Sequence, residues 1–126
     1  MKMVEVVSNE LAPAHGPYSH GQKFGNILVT SGAIPQKKDG EYVYDIKEAT
    51  TLTLENLLYV VEAAGGNKES IARMEVYLTN LEDFDGFNEA YAAFFGSHRP
   101  ARVCTQAGKI FADLPIEAAA LAFIED

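Results

Sequence analysis

The sequence predicts an α+β domain, in which two helices cover a sheet of about six strands in the order β-β-β-α-β-α-β-β. Three stretches carry that prediction. Residues 45–66 (DIKEATTLTLENLLYVVEAAGG) repeat apolar side chains at helical spacing. Residues 71–78 (IARMEVYL) alternate with the period of a strand, and residues 83–95 (DFDGFNEAYAAFF) return to helical spacing.

Met3–Val7 is a short apolar strand, and the Pro- and Gly-punctuated run Asn9–Ser19 is a loop. His20–Phe24 and Ile27–Ser31 flank Gly25-Asn26, a two-residue hairpin turn. A Lys-, Asp- and Gly-rich loop, Pro35–Gly40, follows. Asp45 is a good N-cap, and Glu48 three residues later suits a capping box. Ala49, Leu52, Asn56, Val60 and Ala63 form the buried stripe, widened by Leu57 and Ala64, and Gly65-Gly66 supplies the left-handed stop. On the strand Ile71–Leu78, Ala72, Met74, Val76 and Leu78 form one face; Ile71, Arg73, Glu75 and Tyr77 form the other. Phe84, Phe87, Tyr91 and Phe94 mark the core stripe of the second helix, and Gly96 ends it. Two strands close the chain. Two helices cover one face of such a sheet, and the other carries Leu121 and Phe123, which predicts a homo-oligomer.

At 126 residues the chain accommodates one domain, 1–126, with a real core. A net charge of −8 and the absence of a basic run longer than Lys37–Lys38 argue against nucleic acid as a partner. A single cysteine excludes an internal disulfide and a multi-thiolate metal site, and His15, His20 and His98 fall in no metal-ligand pattern. These three read as surface or interface residues. With neither a signal-like apolar core near Met1 nor a membrane span, the expectation is a cytoplasmic protein.

The chemistry concentrates in PARVCTQAGKIFADLPIEAAALAF. Arg102, Cys104 and Gln106 share one face of a strand. If the last strand pairs antiparallel beside it, Glu117 reaches the same neighbourhood. A fixed cation, a thiol and a carboxylate then make a pocket for a small carboxylate-bearing molecule. Arg102 reads either as a ligand clamp or as a structural ion pair, and Cys104 as a lining residue rather than a nucleophile. Glu117 reads either as the group that places water or as a surface acid.

HGPYSHG with Tyr18, VTSGAIP with Ser31-Gly32, NLEDFDGFNEAYAAFF with Asn88, PARVC and IE occur in an order and spacing that resemble the RidA (YjgF) family along nearly the whole chain. The resemblance implies a chorismate-mutase-like fold and a homotrimer with a site in each cleft between subunits. It also implies cofactor-free hydrolysis of 2-imino and 2-enamino acids to 2-oxo acids and ammonia. On this basis Arg102 clamps the substrate carboxylate. Tyr18, Cys104 and Glu117 line the reacting end, and Ser31, Gly32 and Asn88 complete the pocket. The alternative is a non-catalytic module that holds a 2-oxo acid. The chain departs from the family pattern at Ala33, often glutamine there, at Ala118-Ala119, and at Thr105.

Overall fold

A computed structural model describes residues 1–125. The elements are β1 (Met3–Val6), β2 (Gly21–Phe24), β3 (Ile27–Thr30), α1 (Ile46–Ala63), β4 (Ile71–Leu78), α2 (Phe84–Phe95), β5 (Ala101–Gln106) and β6 (Ile116–Phe123). This is the predicted order, and both helices form where the spacing placed them. Asp45 caps α1, its carboxylate accepting the Glu48 N–H at 3.1 Å, and Gly65 turns the chain at φ +97°. Gly25, at φ +62°, opens the two-residue turn between β2 and β3.

The strands form one mixed sheet in the order β1-β2-β3-β6-β4-β5. The last strand in sequence therefore lies in the middle, antiparallel to both β3 and β4. β5 is an edge strand, paired parallel to β4 alone. The expected antiparallel pairing of the two C-terminal strands is thus corrected: β4 takes β6 on one side and β5 on the other. Leu28, Met74, Val76, Leu78, Ile116, Ala118 and Ala122 are fully buried beneath the helices with Leu54, Leu57, Val61 and Phe87. The alanines of β6 let the helices approach the sheet where larger side chains would hold them off.

Three stripe details differ from expectation. Ile71 is buried although it alternates with the open face, because a register shift between Ile71 and Arg73 turns it inward. On α1 the buried line runs through Ala49, Thr53, Leu57, Val60 and Ala64, and Ala63 is exposed. On α2 it runs through Phe87, Ala90, Tyr91 and Phe95. Phe84 lies at the surface, and Phe94 is only half-buried, under the Lys68 ammonium 4.1 Å from its ring centroid. The opposite face of the sheet leaves Ile27, Val29, Val103 and Phe123 exposed in the single chain.

Candidate active site in two halves

The first half-site gathers around β6. Glu117 opens this strand on the uncovered face of the sheet, beside its cross-strand partner Tyr77. The Tyr77 hydroxyl donates to Glu75 at 3.0 Å, which ties it away from Glu117. Beyond β3 the chain gains one residue before Ala33 pairs with Ala118, and the Thr30 hydroxyl fills the gap by accepting the Ala120 N–H at 2.9 Å. This bulge lays Gly32 directly on the Glu117 side chain. A Cβ at Gly32 would collide with Oε2 and sit 2.9 Å from Cδ, so only glycine leaves the carboxylate its place.

Ser31 donates its hydroxyl to the Ser19 carbonyl at 2.6 Å, anchoring the loop that carries Tyr18. The Tyr18 hydroxyl accepts the His15 N–H at 3.3 Å. Tyr18, Ser31, Gly32 and Glu117, with His15, Ile34 and Phe111, line an open cleft of about 450 Å³. Partial burial raises the Glu117 carboxyl above the ordinary carboxylate range.

The second half-site lies on the other face, at the β5 edge. Arg102 is the register partner of buried Met74, so it projects toward α2. Its guanidinium carbon stands 4.8 Å from the Tyr91 ring centroid, 5.1 Å from Phe87 and 5.8 Å from Phe84. Asn88 Oδ1 accepts from Arg102 Nη1 at 2.8 Å, fixing the plane of the guanidinium. Among the described residues no carboxylate lies within ion-pairing distance of Arg102. Among the described residues a structural ion pair is thereby excluded, in a protein with 18 acidic residues. Cys104 follows on the same face, half-buried; burial pushes its thiol up and Arg102 pulls it part of the way back. The neutral thiol is therefore the resting form.

The sequence-derived residues fall into two groups that one chain does not unite. Tyr18, Ser31, Gly32 and Glu117 face one side of the sheet. Asn88, Arg102 and Cys104 face the other. The expectation that Glu117 meets Arg102 and Cys104 through neighbouring strands is corrected, because β4 separates the two strands and the side chains point oppositely.

The chain resembles known proteins in sequence and in fold. The sequence profile of the Endoribonuclease L-PSP family matches residues 8–124. A RutC family protein of Pyrococcus horikoshii is 42% identical over 126 residues, covering 98% of this chain and 100% of that protein. The 2-iminobutanoate/2-iminopropanoate deaminase of Escherichia coli K12 is 38% identical over 125 residues, or 95% of this chain and 98% of the enzyme. The chain belongs to the RidA (YjgF) family. Among solved structures, E. coli TdcF with bound serine superimposes with a TM-score of 0.93 at 34% identity, covering 97% of this chain and 99% of that one.

Two departures from the usual RidA pattern acquire positions. Ala33 lies behind the cleft, in a small cavity under the Leu11–His15 segment, and Ala119 lies two residues beyond Glu117 on the same face. His15 and Phe111, whose tilted rings lie 5.0 Å apart, line the cleft without having been singled out as site residues. The HGPYSHG motif held the signal for His15. Phe111 sits in an irregular turn next to Ala112 and Asp113, both at positive φ, and no sequence period marks it. His20 and His98 do not simply line the surface: they bond the Ser8 N–H at 3.1 Å and the Ile71 carbonyl at 2.7 Å, tying distant segments together. Among the described residues no helix is long and apolar enough to cross a membrane, and no three metal-ligating side chains converge.

Proposed function

We propose that this protein hydrolyses reactive 2-imino and 2-enamino acids, such as 2-iminopropanoate and 2-iminobutanoate, to 2-oxo acids and ammonia. The sites would lie between protomers of a homotrimer. One observation carries the reading: a pre-oriented guanidinium with no carboxylate partner among the described residues and a half-buried carboxylate occupy open half-sites on opposite faces of one sheet. A rotational assembly that sets the β5 edge of one protomer on the β6 face of the next brings them together. It also covers the exposed apolar residues Val29, Val103 and Phe123. The relation to a named deaminase of this substrate class supports the chemistry.

Arg102 would bind the substrate carboxylate through two parallel N–H···O bonds, with Asn88 holding the guanidinium in plane. The half-protonated range of Glu117 is shifted toward neutrality, which suits a group that must both give and take a proton. Glu117 donates a proton to the enamine carbon, giving the iminium. Water then adds to the iminium carbon and gives a proton back to Glu117; Glu117 passes it to the carbinolamine nitrogen, ammonia leaves, and the hydroxyl returns its proton to Glu117 as the 2-oxo acid forms. Tyr18, Ser31 and Gly32 shape the cleft, and Cys104 lines it as a neutral thiol. No cofactor enters this scheme.

The test is a competition assay in which an amino-acid oxidase generates 2-iminopropanoate in the presence of semicarbazide. Wild-type protein should suppress the semicarbazone, and Arg102→Ala and Glu117→Gln should not. Absence of suppression by wild type across several imino acids contradicts the reading. The serine bound in TdcF favours a second possibility, carboxylate capture without turnover. Glu117→Gln separates the two, since it abolishes turnover under the first and leaves ligand affinity mostly intact under both.

A further inference from the structure

We propose that the Arg102 half-site takes imino acids bearing a second acidic group on the side chain, with Arg99 and Tyr91 receiving that group. The inference rests on the reading above for the position of the substrate's own carboxylate. Two of the chain's three arginines line one cleft of about 350 Å³ with Asn88, Tyr91, Ala92 and Pro100. The third, Arg73, faces Glu75 at 3.9 Å, whereas among the described residues neither Arg99 nor Arg102 has a carboxylate within ion-pairing distance. Two like charges in one cleft repel until an anion lies between them.

Their hydrogen bonds leave donors to spare. Among the described residues, Arg99 Nη1 is spent on the Gly96 and His98 carbonyls beyond the end of α2, which fixes the side chain while Nε and Nη2 stay open, and Arg102 commits Nη1 alone, to Asn88. Tyr91 is 6% exposed, and its buried hydroxyl has no hydrogen-bond partner among the described residues. A buried, unbonded phenol is costly unless something completes it. Both guanidiniums act on this phenol, yet burial pushes it up to about 12, so it remains a proton-bearing donor at neutral pH. A ligand carrying one carboxylate satisfies Arg102 and leaves Arg99 and Tyr91 unmet; a dicarboxylate satisfies all three.

The test compares binding of 2-oxopentanedioate and 2-oxopentanoate by calorimetry. The two have equal chain length and differ only in the terminal carboxylate, and their carbonyl oxygen stands in for the imine nitrogen. Wild type should prefer the dicarboxylate by about tenfold or more, the usual worth of a charge-assisted pair. That ratio should fall toward one in Arg99→Gln, stay largely intact in Arg99→Lys, and drop severalfold in Tyr91→Phe. A ratio near one in wild type overturns the inference. So does a ratio unchanged in folded Arg99→Gln or, where that variant does not fold, unchanged in Tyr91→Phe. Turnover of 2-iminopentanedioate is measured separately. The dicarboxylate preference without any turnover would leave this inference standing and remove the deaminase reading.

Discussion

The two half-sites are built by opposite means. Around Glu117 the backbone does the work: a bulge after β3 and a glycine without a Cβ make a slot in which the carboxylate is half-buried and its pKa raised. Around Arg102 side chains do it: three aromatic rings and one amide hold an exposed cation at a sheet edge. The desolvated group is the one assigned to move protons, and the exposed group is the one assigned to meet an anion arriving from water. A carboxylate gains reactivity from burial, whereas a guanidinium needs only orientation, because it stays charged in either setting.

The largest effect should come from Arg102. Its replacement by alanine removes a bidentate pair and should lower kcat/KM for 2-iminopropanoate by about 10³-fold, mostly through KM. A kcat loss with unchanged KM would move Arg102 from binding to chemistry. Glu117→Gln should lower kcat by about 10²–10⁴-fold, the usual worth of a positioned acid–base group, with little change in KM.

Gly32→Ala sharpens the contrast. The added methyl meets the mobile end of Glu117 rather than backbone, so the fold should survive with little change in Tm. The displaced carboxylate should still cost about tenfold or more in kcat. Normal kcat in this variant would show that the Glu117 position does not matter.

Stability against pH isolates the same carboxylate. A carboxyl raised in the folded state stabilises the protein while protonated, below its unfolded pKa. That contribution is lost as pH rises through the folded pKa. Glu117→Gln should therefore be more stable than wild type near neutrality, and the Tm difference should shrink toward pH 4. A difference independent of pH contradicts the burial assigned to Glu117. The smallest effect belongs to Cys104, whose thiol is neutral: Cys104→Ser should keep kcat within about threefold, against complete loss for a nucleophile.

Much of this was legible in the sequence where the determinants are local. The cap at Asp45, the turn at Gly25 and the alternation along 71–78 each fix an element from neighbouring residues alone. The face of Arg102 relative to Cys104 follows from strand period and holds. Which strand lies beside which does not follow from period: β6 enters between β3 and β4, so Glu117 and Arg102 part company although only fifteen residues separate them. Phe84 shows the same limit on a helix. Its spacing fits the stripe, yet it sits where the sheet edge ends, so it supports Arg102 instead of the core.

The most direct test of a site shared between protomers is complementation. Arg102→Ala and Glu117→Gln chains, each inactive alone, would be co-expressed and the mixed oligomers assayed for 2-iminopropanoate hydrolysis. If each site draws Arg102 from one chain and Glu117 from its neighbour, random mixing should restore about a quarter of wild-type activity. No activity above that of the separate variants, in mixed oligomers shown to contain both chains, would contradict the two-half account.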